Sequence, residues 1–169
     1  MFILSQIVGF IAIICWVISV QLSKKSKIIL FQTIANILYS VQYFLLNAIV
    51  AAFMNLVSFF RLSIFYTYET KNKKIPWWLM FLFMLIIIVI GIITVDTPLM
   101  LIPILATLFY TYSSWQNNMQ KLRIIYIVAA IFWLYYNLTV GAYVSLIGNT
   151  LEIISGTSSL IKYRNKKGN

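Results

Sequence analysis

The chain has 169 residues, 62% of them hydrophobic and 9% charged, with a mean hydropathy of +0.93 and a net charge of +10. A soluble domain of this size could not hide so much apolar side chain, so its solvent is lipid. Apolar runs of ~20 residues with scarce Gly and Pro fit spanning helices, not the short alternating strands of an outer-membrane barrel. The basic residues sit in short clusters between these runs rather than along one face, which argues against a nucleic-acid partner.

Reading between the charges in chain order gives seven spans, at 3–22, 28–46, 48–68, 77–95, 98–115, 123–140 and 142–161. The first contains Cys15, the lone cysteine. It can form no intramolecular disulfide and reads as a small apolar filler. This run lacks the basic region and small-residue cleavage site of a signal peptide, and it is expected to remain as a span. The second and third spans part only around Asn47, and the sixth and seventh around Gly141, which predicts two tight helical hairpins. Pro76 opens the fourth span, where a missing N–H costs nothing.

Lys24, Lys25 and Lys27 follow the first span, Lys71, Lys73 and Lys74 the third, and Lys121 and Arg123 the fifth. Lys162, Arg164, Lys166 and Lys167 follow the seventh. These alternate connections hold every basic residue except Arg61, and one of the others carries Asp96. The positive-inside rule then places the N-terminus outside and the C-terminus in the cytoplasm.

Residues 7–68 slide onto 101–162 without a gap. Eight of the 62 positions are identical: Ala12/Ala106, Ser19/Ser113, Lys27/Lys121, Ala35/Ala129, Ile37/Ile131, Ala48/Ala142, Val50/Val144 and Asn55/Asn149. Span ends, basic loops and hairpins fall in the same register. The expected architecture is an all-α membrane protein with a parallel 3+1+3 repeat. Residues 1–68 form the first three-helix unit, 69–97 a linker with the fourth helix, and 98–169 the second unit with a short basic tail. The single fourth helix restores the starting direction.

Several residues could carry chemistry. Asn55 and Asn149 fall near the middle of their spans, where an amide must find a partner, water or a ligand. Gln32, Asn36, Tyr39, Ser40 and Tyr43 make a polar stripe on the second span. The matching positions of the sixth are Tyr126, Ala130, Trp133, Leu134 and Asn137, a drier stripe. Such stripes face the bundle interior, whether a cavity or polar packing. Arg61 and Glu152 are the ionisable base and acid within the spans, at a cost of about 3 kcal/mol each on insertion scales. They could pair with each other, Glu152 could couple a proton, Arg61 could bind an anionic solute, or Arg61 could reach towards headgroups. The absence of His, the single Cys and the scattered Glu69, Asp96 and Glu152 suggest no metal site, no cofactor and no enzyme.

The 3+1+3 plan with an outside N-terminus resembles that of the SWEET sugar transporters, their half-size SemiSWEET relatives and the PQ-loop proteins. That superfamily also includes vitamin transporters and the KDEL receptor. QLSKKSKIILFQ at 21–32 and FLLNAIVAAFMNLVSFFR at 44–61 resemble more specifically the YgjV-type bacterial inner-membrane proteins. The resemblance implies a multi-pass protein of the bacterial cytoplasmic membrane. It also implies a solute pocket in which Tyr39, Asn55, Trp133 and Asn149 line the site and Gln32 and Asn36 its approach. An aromatic face with amide donors suits a sugar, a nucleoside or a vitamin-like heterocycle. The asparagines could instead tie helices together. The sequence departs from the family pattern where Pro-Gln becomes Val20-Gln21 and Trp115-Gln116. Hinge prolines are missing too, apart from Pro103 in the fifth span.

The expected function is therefore transport or facilitation of a small polar solute by alternating access between two three-helix bundles. The alternative is a non-transporting receptor or scaffold on the same fold. Expected partners are the solute and membrane lipids, and nothing in the sequence excludes a homo-oligomer.

Overall fold

The computed structural model describes residues 1–22 and 24–165, with side chains for all of these except 20, 21, 119, 159 and 162–165. Of the features singled out above, the side chains of Val20-Gln21, Lys162 and Arg164, and the residues Lys166 and Lys167, lie outside the described residues.

Among the described residues seven α-helices follow one another: α1 (Phe2–Gln21), α2 (Lys25–Leu45), α3 (Ile49–Thr70), α4 (Trp77–Thr94), α5 (Leu101–Trp115), α6 (Met119–Val140) and α7 (Tyr143–Asn165). Five of them, α1 to α4 and α6, are long and apolar enough to cross a membrane. α5 has 15 residues and is preceded by a 3₁₀ turn over Pro98–Met100. At ~1.5 Å and ~2.0 Å per residue the two together reach about 28 Å, close to the ~30 Å of hydrocarbon. α7 is diluted by Ser145, Asn149, Thr150, Glu152, Ser155 and Thr157 along its length. Pro103 falls in the first turn of α5, where no intrahelical N–H is needed, so it starts a helix rather than bending one.

The hairpins form for a local reason. Asn47 takes φ 57° and Gly141 φ 73°, the left-handed conformation that ends a helix. In each turn the next N–H reaches back five residues, from Ala48 to the Tyr43 carbonyl at 2.9 Å and from Ala142 to the Asn137 carbonyl at 3.0 Å. Few residues outside glycine and asparagine visit this conformation cheaply. α6 starts with a side-chain cap, the Asn118 Oδ1 accepting from the N–H groups of Gln120 and Lys121.

α1, α2 and α3 pack in sequence, and so do α5, α6 and α7. Packing of α1 with α7 and of α3 with α5 joins these sets, while α4 lies against α3 and α5. Gln6 on α1 helps the first by donating to the Gly141 carbonyl and accepting from the Val144 N–H, both at 3.3 Å. Lys25 and Glu69, at the shared end of α2 and α3, form an ion pair at 2.5 Å.

Burial is inverted relative to a water-soluble protein. Ile92 and Ile93 of α4 are 76% and 75% exposed, and Phe60, Leu138 and Ile154 also face outward. Gln32, Gln42, Thr107, Thr111, Asn137 and Arg61 are buried. Polar groups inside and large aliphatics outside make sense where the exterior is lipid tails.

Candidate functional site

The buried polar groups surround a cavity of ≈ 40 Å³, room for a few water molecules. α2 contributes Gln32, Asn36, Tyr39 and Tyr43, and α3 contributes Asn55, Ser58, Arg61 and Leu62. Opposite them stand Thr107 and Tyr110 of α5, Tyr126, Trp133 and Asn137 of α6, and Ser145 and Asn149 of α7, with Trp16 of α1 completing the wall. All six residues proposed from the sequence to bind or admit a solute therefore border one space.

Each wall residue is placed by its helix. Gln32, Asn36, Tyr39 and Tyr43 recur every three or four residues, so one face of α2 turns inward. On α3, Asn55, Ser58, Arg61 and Leu62 do the same. The amides are tethered in different ways. Asn36 donates to the Gln32 carbonyl at 2.7 Å and Asn55 to the Ala51 carbonyl at 2.9 Å, both within their own helices. The Asn149 Oδ1 accepts from Asn137 Nδ2 at 2.7 Å, which ties α7 to α6. One sequence asparagine thus faces the cavity from its own helix, and the other belongs to a network.

That network crosses the molecule. The Tyr43 hydroxyl donates to Asn137 Oδ1 at 2.5 Å, Tyr126 to Gln32 Oε1 at 3.1 Å and Ser145 to Gln42 Oε1 at 2.6 Å. The aromatics are also engaged. Tyr43 stacks on Trp133 with centroids 5.4 Å apart and planes at 28°, which covers one face of the indole. Tyr39 meets Trp16 edge-on at 6.4 Å, and Trp16 meets Tyr110 at 5.8 Å.

Arg61 and Glu152 do not meet. Lys25 and Glu69 form an ion pair, and Arg61 and Glu152 do not. Arg61 Nη1 donates instead to the Thr107 carbonyl at 3.5 Å and to the Thr111 hydroxyl. Glu152 Oε2 accepts from Tyr110 at 2.9 Å, behind the cavity wall. The reason lies in α5: Thr107, Tyr110 and Thr111 share one face, and the two charges reach it at different side chains.

Sequence reading missed Trp16, Tyr110, Thr107, Ser58, Leu62 and Ser145 as wall residues. A usable signal existed for the first two. Trp16 and Tyr110 occupy matching positions in the two aligned segments, both aromatic, but not identical.

The family model Imp-YgjV, described as "Bacterial inner membrane protein", matches residues 3–167. No curated protein and no solved structure matches the chain.

Proposed function

From the premise that this chain belongs to the Imp-YgjV family and is a multi-pass protein of the bacterial inner membrane, we propose that it moves a small polar solute across that membrane. The solute binds in the central cavity, and two parallel three-helix bundles, α1–α3 and α5–α7, rock about it to expose it to each side in turn. α4 joins them, with unit boundaries at 1–68, 69–97 and 98–169. The seven helices all span, with the N-terminus outside and the basic connections in the cytoplasm.

The observation that carries this reading is that the cavity wall draws on both helix sets at once. A two-fold relation between the sets has its own support. Gln32–Tyr126 and Tyr43–Asn137 are hydrogen-bonded across 94 positions, and Trp16–Tyr110 are packed at the same separation. Residues related by a two-fold axis can touch their own counterparts only along that axis. The contacts α1·α7 and α5·α3 exchange under the same shift, as do the turns at Asn47 and Gly141.

In this scheme Trp133 and Tyr39 provide aromatic surface along the cavity wall. Asn55 and Asn149 hydrogen-bond the solute, and Gln32 and Asn36 line its approach. Sugars, nucleosides and vitamin-like heterocycles share this chemistry. The role is binding and passage rather than catalysis.

The test is ligand-induced thermal stabilisation of the detergent-solubilised protein across these three solute classes, with Trp133→Ala and Asn149→Ala alongside. A saturable shift from one class, lost in both variants, is expected, followed by uptake of that solute in proteoliposomes. No shift from any class, with both variants strongly destabilised, would instead favour a receptor or scaffold whose polar interior only holds helices together.

A further inference from the structure

Arg61 is 2% exposed and borders the cavity from α3. A guanidinium offers five N–H donors and keeps its positive charge. Among the described residues Nη1 meets neutral oxygens, those of Thr107 and Thr111, and Nε has no hydrogen-bond partner. A buried cation without a counter-charge is among the most costly groups a membrane protein can carry.

The protein's own acids do not neutralise it. Glu69 is paired with Lys25, Asp96 is exposed in the connection between α4 and α5, and Glu152 accepts from Tyr110 outside the cavity wall. The charge also has no counterpart in the second helix set, since 94 positions beyond Arg61 stands Ser155. The cavity is therefore positive at one place on an otherwise neutral wall of amides, hydroxyls and aromatic rings.

We infer that the solute carries an oxyanion, a carboxylate or a phosphate, and that it supplies the charge Arg61 lacks. Both groups match the planar fork of a guanidinium and can accept two parallel hydrogen bonds from it. The hydroxyl of Thr111 and the carbonyl of Thr107 hold the fork at Nη1, while Nε is left without a partner. The neutral part of the solute lies along the amides and rings. This inference rests on the reading of the cavity as a solute site and narrows it from polar solutes in general to anionic ones.

The experiment uses matched probes that differ in charge: benzoate with benzamide, gluconate with glucose, and ribose 5-phosphate with ribose. Each is titrated by thermal stabilisation into the solubilised full chain in low-chloride buffer, with wild type, Arg61→Lys and Arg61→Gln in parallel. At least one anionic member is expected to bind tenfold or more tightly than its neutral partner. Preference for benzoate and gluconate marks a carboxylate, and preference for ribose 5-phosphate a phosphate. Arg61→Gln should abolish the preference, and Arg61→Lys should keep its sign with weaker binding. Should Arg61→Gln fail to fold, the wild-type contrast within each pair still decides. Neutral and anionic members binding equally well would overturn the anion assignment and leave the solute site standing. The absence of saturable binding by every probe would overturn both.

Discussion

The hydrogen bond from Tyr43 to Asn137 offers a direct measure of how firmly the two helix sets are joined. Tyr43→Phe removes one oxygen and preserves the ring that stacks on Trp133. Both partners are buried, at 2% and 1% exposure, and they sit 2.5 Å apart. Losing the hydroxyl leaves Asn137 Oδ1 without its donor, a penalty of about 1–3 kcal/mol in a closed interior. In lipid the reference state also finds partners, and measured pair couplings average about 0.6 kcal/mol with a ceiling near 1.7. This bond belongs in the upper part of that range, since Asn137 is fixed from its other side by Asn149 at 2.7 Å and cannot turn to a substitute. A coupling of about 1 kcal/mol follows, or about 3 °C in midpoint for a chain of this size. Asn137→Ala should cost more than Tyr43→Phe because it strands both neighbours. The assay is a double-mutant cycle of Tyr43→Phe and Asn137→Ala, read by reversible denaturation in mixed micelles. In the Asn137→Ala background, Tyr43→Phe should be nearly silent. Strict additivity of the two would refute the reasoning, because the bond would then contribute nothing across the interface.

Two further predictions concern glycine. Gly141→Ala meets open space, with nothing within 4 Å of the added carbon, yet its φ of 73° is one that L side chains rarely adopt. It should destabilise by about 1 kcal/mol from conformation alone, whereas Asn47→Gly at the equivalent turn should be neutral or slightly stabilising, both read as thermal midpoints. At Gly148 the cost is steric: an added Cβ would stand 2.7 Å from Ile13 Cγ1 and 3.0 Å from its Cδ1, where α7 meets α1. Gly148→Ala should lose about 1–3 kcal/mol by overpacking, and Ile13→Ala, which deletes both clashing atoms, should recover most of that in the double variant.

The helical membrane character, the positions of the hairpins and the inward face of α2 were legible from the sequence because each has a local cause. Hydropathy marks lipid exposure, Asn47 and Gly141 suit a left-handed turn, and polar residues three and four apart on an oily helix have one inward face. The relation between Arg61 and Glu152 was not legible. Both lie within spans, but which neighbour each meets depends on the rotation of α3 and α7 about their axes, and packing against their neighbours sets those rotations: α5 for α3, α6 and α1 for α7. Trp16 and Tyr110 were hidden for another reason. Aromatics are common on lipid-facing and core-facing sides alike, so an aromatic in an apolar run carries no direction of its own. The short α5 had a similar ambiguity, since the 3₁₀ turn that extends its reach is a backbone choice at Pro98 that hydropathy does not register.

The low identity of the aligned segments has a physical reading under the proposed two-fold relation. A residue on the axis faces its own counterpart, and two copies of one side chain rarely satisfy each other: a tyrosine facing a tyrosine, or a glutamine facing a glutamine, duplicates a need instead of meeting it. The contacts observed 94 positions apart are all between unlike residues, tyrosine with asparagine, tyrosine with glutamine, tryptophan with tyrosine. Divergence is therefore expected to be greatest where the two halves touch, and identity to survive off the axis, at Ala35/Ala129 or Ala48/Ala142, where each half packs within itself. The same divergence lets the cavity be one-sided. A perfect repeat would place a charge in both halves or in neither, and two buried cations facing one solute would repel each other. With Arg61 answered by Ser155, and Ser58 by Glu152, a single anionic group can be recognised at one end of a pocket whose remaining wall is neutral.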